Sequence, residues 1–241
     1  MSKAENPSYI NRNPEDRLNP KQCSRIYWPL TELKRVLIDI LSKYKSQIKN
    51  AIVLDYGCGN SPYRPLLEKA GIKDYLTADL PGNDKAGLIL GKNGAIPCPD
   101  AQMDVVLSSQ VLEHVADPQK YLSECHRVLK ENGILILSTP AIWRYHPDPE
   151  DFWRWTSAGL KKILENHGFI LLDCTGAVGI PAVSIRLWQD SVQFLIPEKT
   201  RPILFYMLQK LMALIDKRTP QVNKDKDASF YTAVAVKKKD S

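Results

Sequence analysis

The chain has 241 residues, 44% hydrophobic and 25% charged, a length and balance that suit one large α/β domain with a buried core and exclude a disordered or fibrous chain. The N-terminal stretch MSKAENPSYINRNPEDRLNP lacks the apolar centre of a signal peptide, and Gln209 and Lys210 interrupt the longest apolar run, so no bilayer-spanning segment is read. Five scattered cysteines (Cys23, Cys58, Cys98, Cys125, Cys174) form no CxxC pair, which fits a reducing cytoplasm, and the net charge of +6 gathers in residues 1–35 and 199–241, in the manner of solvated chain ends, which argues against nucleic-acid binding.

SRIYWPLTELKRVLIDILSKY, residues 24–44, has the apolar spacing of an amphipathic helix. AIVLDY is a first strand, and PYRPLLEKAG a helix opened near Pro62 and stopped by Gly71. DYLTADL and the short AGLILG are second and third strands, and MDVVLSS is the fourth. DPQKYLSECHRVLKENG then reads as a helix capped by Asp117, with Pro118 at its first position and Gly133 past its end. ILILSTP is nearly all apolar, as a central parallel strand should be. The polar and aromatic segment AIWRYHPDPEDFWRW follows, then a helix from TSAGLKKILENHG capped by Thr156, and a strand FILLDCT.

Between Gly179 and Thr219 two helical patterns are split by Pro197, and ASFYTAVAVKK ends the order as an antiparallel strand. Alternating strands and helices of this kind specify a Rossmann-like α/β fold: a seven-stranded, mostly parallel sheet with an antiparallel last strand and helices on both faces. The expected organisation is a single domain over 1–241. Residues 1–50 form a helical cover, 51–178 a cofactor-binding core, 179–219 a helical insertion and 228–238 the last strand.

In such a sheet ligands bind beyond the carboxyl ends of the strands. DYGCGNS occupies the first of these ends, where Gly57 and Gly59 let a ligand approach the main chain. A dinucleotide turn would carry G-x-G-x-x-G, but Pro62 stands at the third glycine position. Asp55 sets negative charge where a pyrophosphate would lie, and suits an ammonium or sulfonium instead. S-adenosylmethionine is therefore favoured over NAD. Asp79, at the end of the second strand, is placed to accept from both ribose hydroxyls.

With these residues in place the chain resembles the class I S-adenosylmethionine-dependent methyltransferases, within them the type 11 small-molecule group. VLDYGCG is similar to the first motif, and AIPCPDAQMDVVLSSQVLEHVADPQKYLSECHRVLKENGILILSTP to the later ones, in the expected order. The resemblance runs from about Val53 to Phe169. It implies that Asp55, Gly57 and Gly59 line the methionine end of the cofactor, that Asp79 holds the ribose, and that Leu80 packs on the adenine. Gln110 and Val111 continue the wall. Where many relatives carry an acid for the adenine amino group this chain has Lys92, and Asn93 or a backbone carbonyl takes its place.

Methyl transfer needs an acceptor atom aligned with the methyl carbon and, where required, a base. LEHV after the fourth strand supplies Glu113 and His114. The later segment resembles a narrower subset with H-x-x-P-x-D-aromatic-W-R-aromatic-T, matched by His146, Pro149, Asp151, Phe152, Trp153, Arg154 and Thr156, and associated with glycan pathways. His146 is the expected general base with Asp151 as its orienter or as a ligand for substrate hydroxyls, and His114 the weaker candidate. Tyr145, Trp153 and Arg154 are expected to touch substrate. The alternatives are that Trp153 and Trp155 are core, that Arg154 pairs with Asp151 or Glu150, and that Thr156 is a helix cap. No His/Asp/Glu spacing suggests a metal.

The expected partner is a small-molecule acceptor, a sugar or glycan precursor first. An RNA or protein methyltransferase using the basic ends, or a non-catalytic protein keeping the fold, are the rivals. The insertion reads as an acceptor-side lid, a homodimer surface or an interfacial membrane contact.

Overall fold

The computed structural model describes residues 13–91 and 94–238. Seven strands form one sheet: β1 (Ile52–Tyr56), β2 (Asp74–Asp79), β3 (Leu88–Ile89), β4 (Met103–Ser109), β5 (Leu129–Pro140), β6 (Phe169–Gly179) and β7 (Ala228–Lys237). Their order is β3-β2-β1-β4-β5-β7-β6. β1 to β5 pair in parallel, and β7 runs antiparallel to both β5 and β6. The Rossmann-like sheet read from the sequence is the sheet observed. β1 sends the chain to β2 on one side and receives β4 on the other, which opens a crevice at its carboxyl end.

Alternate strand residues feed two cores. Val53, Val105, Leu107, Ile134 and Ile136 face one side, with Leu33, Val36, Leu37 and Leu67. Those last four lie on α2 (Tyr27–Lys43) and α4 (Arg64–Ala70). Leu54, Val106, Leu135 and Leu137 face the other side, with Leu122, Cys125, Leu160 and Leu164 from α5 (Pro118–Val128) and α6 (Ser157–Asn166). A strand buried on both faces must be apolar at successive positions, as ILIL in β5 is.

Local signals set the helix ends. Asp117 accepts from Lys120 N at 3.2 Å and Thr156 Oγ1 from Gly159 N at 3.0 Å, so both expected caps are present. The helix expected through residue 132 stops at Val128 instead. Its last carbonyls are taken by Ala101 N and Gln102 N, and Asn132 at φ 61° turns the chain into β5. β6 also runs on to Gly179, beyond the expected 175. A Cβ at Gly176 would lie 1.9 Å from Lys224 O, so this extension depends on a residue without a side chain.

Among the described residues five further α-helices follow: α1 (Pro14–Leu18), α3 (Lys45–Ile48), α7 (Ile180–Val192), α8 (Arg201–Arg218) and α9 (Gln221–Lys226). Gln209, whose polarity breaks the apolar run in sequence, is fully buried and ties α8 to α2. Its Oε1 accepts from Trp28 N at 2.8 Å, and its Nε2 donates to Arg25 O at 2.8 Å. Asp216 accepts from Trp28 Nε1 (3.1 Å), Lys224 Nζ (3.0 Å) and Gly179 N (2.8 Å). Buried polar groups satisfied in this way fix one arrangement of the elements. Among the described residues, no helix is long and apolar enough to cross a membrane.

Candidate active site

One cavity of about 1080 Å³ opens beyond the carboxyl ends of β1, β2, β4 and β5. Its first end is the glycine turn. Gly57 and Gly59 have φ of 77° and 54°, and Gly57 N donates to Ala78 O at 2.8 Å, which fastens the turn to β2. A Cβ at Gly57 would lie 2.6 Å from a methyl of Val111. Asp55 is buried and accepts from the Tyr75 hydroxyl. Burial pushes its pKa up to about 7, against the hydrogen bond from Tyr75.

Asp79 Oδ2 accepts from Gly59 N at 2.8 Å and Asn83 Nδ2 at 2.7 Å, and Oδ1 from Leu80 N at 2.8 Å. One oxygen is thus committed to holding the turn, and Oδ1 keeps a lone pair for an incoming hydroxyl. The expectation that Asp79 receives both ribose hydroxyls is narrowed to one. Leu80, Gln110 and Val111 line the cavity as expected. Gln110 stands at φ 58°, with its N–H donating to Ser138 O at 2.8 Å. Asn93 lies outside the described residues.

At the other end stand Glu113, His114 and His146, brought together from the loops after β4 and β5. Glu113 is fully buried, and its Oε1 has no hydrogen-bond partner. His114 Nε2 is 3.6 Å and His146 Nε2 4.0 Å from that oxygen. Burial raises the Glu113 pKa to about 8 and lowers that of both imidazoles. His114 Nδ1 lies on Glu150 O, and His146 Nδ1 is 3.1 Å from Arg144 O. Carbonyl oxygens only accept, so each Nδ1 carries the proton and each Nε2 presents its lone pair inward.

Asp151, the expected orienter, contacts His146 and Arg154. Its Oδ2 accepts from His146 N at 2.8 Å, and both oxygens accept from Arg154 at 2.6 Å. Although burial pushes upward, Arg154 and the His146 N–H hold the carboxyl down at about 2. Arg154 also donates to Trp143 O, Trp153 O and Arg144 O. All five of its N–H groups are thereby used, and the guanidinium has none left for a substrate.

Trp153 likewise spends its Nε1–H on Val115 O at 2.8 Å, and Tyr145 is 67% exposed. Tyr145, Trp153 and Arg154, expected to touch substrate, and Asp151 are not among the residues that line the cavity. The DFWR run clamps the Glu113 turn instead: Phe152 N donates to Glu113 O at 2.8 Å.

The outer wall is cationic. Arg25, Arg144 and Arg186 surround Asp190 at 3.9, 3.9 and 3.5 Å, and all three arginines line the cavity. Arg186, from α7, is 3% exposed and sits 3.1 Å over the Trp143 ring. Burial lowers its pKa to about 9, against the pull of Asp190. Its Nε has no hydrogen-bond partner. Nothing in the sequence marks this wall, because its members lie in three segments with no common motif. Only Arg144, next to the aromatic run, lay near a segment already under suspicion.

Residues 54–137 match the Methyltransferase domain family Methyltransf_11. A probable S-adenosylmethionine-dependent methyltransferase of Mycolicibacterium smegmatis is 36% identical over 92 residues, 36% of this chain and 36% of that one. The chain thus spans about a third of that relative's length. The ubiquinone biosynthesis O-methyltransferase of Dinoroseobacter shibae is 29% identical over 168 residues, 58% of this chain and 68% of that one. Among solved structures, the 1,6-didemethyltoxoflavin-N1-methyltransferase of Burkholderia thailandensis, with bound 1,6-didemethyltoxoflavin and S-adenosylhomocysteine, superposes with a TM-score of 0.54 at 14% identity over 85% of this chain and 78% of that one.

Residues 54–137 are thus similar to a methyltransferase domain. The cofactor of the class I methyltransferases is S-adenosylmethionine, and the residues at this turn fit it. Two buried carboxylates flank a turn whose main chain is bare at Gly57 and Gly59, one of them keeping a spare lone pair and the other raised to about 7 by burial. The cavity is at the upper end of the range for ligand sites, with room for a cofactor and an acceptor together.

Proposed function

We propose that the protein is a methyltransferase that moves the methyl of S-adenosylmethionine to an oxygen or nitrogen of a small acidic molecule, a sugar or glycan precursor carrying a phosphate or carboxylate. The observation that carries this reading is one cavity with buried carboxylates at one end and, at the other, three arginines of which Arg186 is buried and Arg25 and Arg144 are half-buried. S-adenosylmethionine supplies an electrophilic methyl on a positively charged sulfur. Asp55 would pair with its ammonium, and Asp79 Oδ1 would accept from the ribose. Arg25, Arg144 and Arg186 would bind the acceptor's anionic group, so that its nucleophilic atom reaches the lone pairs of His114 and His146.

His146, held by Asp151 and by Arg144 O, has the inward Nε2 that suits a proton acceptor. Trp143 offers the apolar ring face on which a sugar packs. The mixed acceptors named among the relatives, a quinone precursor and a heterocycle, belong to those proteins and leave this acceptor open to its own wall.

The test is transfer of labelled methyl from S-adenosylmethionine to a fractionated metabolite pool. Label should enter an anion-exchange-retained fraction, with S-adenosylhomocysteine released in equal amount. Tight S-adenosylhomocysteine binding with no labelled product from any fraction would favour the non-catalytic reading. Label entering RNA or protein would favour the macromolecular one.

A further inference from the structure

We propose that Glu113, His114 and His146 form a binding site for one divalent transition-metal ion on the acceptor side of the cavity; the inference deepens the reading above and rests on it for the ion's role.

Glu113, His114 and His146 each bring one ligand atom within 4.8 Å of the others, and the two that face Glu113 Oε1 are His114 Nε2 and His146 Nε2. Ligands about 2.0–2.1 Å from a tetrahedral ion are about 3.3 Å apart. The observed 3.6 and 4.0 Å from Oε1 therefore need closures of about 0.3 and about 0.7 Å. A buried carboxylate oxygen without any hydrogen-bond donor is costly to maintain, and Glu113 Oε1 is such an oxygen. Both imidazoles face it with a lone pair, not an N–H, because their Nδ1 protons are engaged by the carbonyls of Glu150 and Arg144. Two imidazole nitrogens and a carboxyl oxygen converging on one point form a donor set that suits a metal ion.

The outer partners are those of a metal site. Each ligating ring has its far nitrogen on an acceptor, which fixes the tautomer and the ring plane. Glu113 Oε2 accepts from Thr139 Oγ1 at 3.4 Å, leaving Oε1 for the ion. Two imidazoles and one carboxylate select a borderline ion such as Zn²⁺, Co²⁺ or Fe²⁺ over Mg²⁺, which prefers oxygen throughout. Asp148 and Asp151 add negative potential and Arg17 and Arg154 offset it, so coordination bonds hold the ion more than the surrounding field does.

All three residues line the cavity, so the remaining coordination positions open toward the acceptor. An acceptor hydroxyl bound there loses its proton to water more readily, because the cation stabilises the resulting oxyanion. That oxygen forms its bond to the methyl carbon as the carbon–sulfur bond breaks, and the sulfonium leaves as a neutral thioether. His146 Nε2 is then occupied by the ion, and the proton-accepting role passes from the imidazole to water.

The full chain, freed of metal by chelation and dialysis, is titrated with Co²⁺ and then Zn²⁺, with S-adenosylhomocysteine calorimetry on the same samples. The expected result is one Co²⁺ per chain with the visible absorption of a low-coordinate nitrogen and oxygen site, displaced by one Zn²⁺. Glu113→Gln and His146→Gln should each weaken that binding by more than about 100-fold while S-adenosylhomocysteine affinity and the far-ultraviolet circular dichroism stay as in the wild type. If either variant fails to fold, the wild-type stoichiometry and spectrum decide. No such spectrum in the wild type, or variants that bind Co²⁺ as tightly as the wild type, would overturn the site. Cofactor heat without the spectrum removes the metal site alone. The spectrum without cofactor heat removes the cofactor reading alone.

Discussion

At the glycine-turn end the cavity meets Asp55 and Asp79, buried carboxylates on the adjacent strands β1 and β2, whereas at the acceptor end it meets Arg25, Arg144 and Arg186, drawn from three separate segments. The first end is made by neighbouring strands whose register the sheet dictates. The second exists only after α7 has docked against the loop following β5 and the residues before α2. Opposite charge at the two ends would, on the proposed function, order a cationic donor and an anionic acceptor in one crevice. Buried charges act strongly here because little water screens them.

The two ends should fail differently. The largest effect belongs to the turn. Gly57→Val places a β-branched residue at φ 77°, with its Cβ 2.6 Å from a Val111 methyl that itself lines the cofactor wall. Backbone strain of about 1–3 kcal/mol and the displaced Val111 act together. Calorimetry should find S-adenosylhomocysteine affinity reduced by more than about 100-fold, a change worth about 2.7 kcal/mol. Affinity within a few-fold of the wild type would move the cofactor away from this turn.

That end was also the legible one. A strand, a glycine pair and an acid at the next strand end are short-range patterns, and each falls where chain order alone puts it. What sequence missed there is who else uses the acid: Asn83 and Gly59 N already occupy one Asp79 oxygen. After β5 the aromatic run drew attention to Trp153 and Arg154, which do not line the cavity. Trp153 and Arg154 look like ligand contacts because they are polar and dense. Folding turns them onto Val115 O, Asp151 and three backbone carbonyls. A guanidinium's partners depend on which carbonyls the loop brings within reach, and local spacing does not encode that. Arg186 was invisible for the opposite reason. It sits in an amphipathic helix where an isolated arginine reads as a solvated residue, yet it is buried against Trp143.

A second, smaller effect tests the cationic wall. Arg186→Gln keeps polar atoms but removes the buried charge and the stacking on Trp143. Hydrogen bonds to charged groups contribute about 1.5–3 kcal/mol. KM for the acidic acceptor should therefore rise about 10- to 100-fold, with S-adenosylmethionine KM changed little. A fall in kcat at unchanged acceptor KM would assign Arg186 to holding Trp143 and the loop rather than to the anion. Lys is not a neutral replacement, because a guanidinium presents five donors in a fixed plane and an ammonium does not.

The smallest effect concerns pH and returns to the carboxylate end. Asp55 titrates at about 7 in the protein against 3.8 for the free side chain, because burial disfavours its charge. Tyr75, Asp79, Arg17 and Cys58 are the ionisable groups that face it, and of these Arg17 and the Tyr75 hydrogen bond favour the anion while Asp79 opposes it. A carboxyl raised on folding stabilises the folded state fully below 3.8, and that contribution is lost as pH rises through about 7. The cofactor-free melting temperature should accordingly decline across this window. An ammonium beside Asp55 reverses the preference, so binding expels a proton wherever the free protein still holds one. S-adenosylhomocysteine affinity should then climb with pH by at most about tenfold per unit and level off above about 7. In Asp55→Asn both slopes should flatten. An affinity that stays level with pH in the wild type, or keeps its slope in the variant, would place the ammonium on another group and leave Asp55 as a partner for Tyr75 alone.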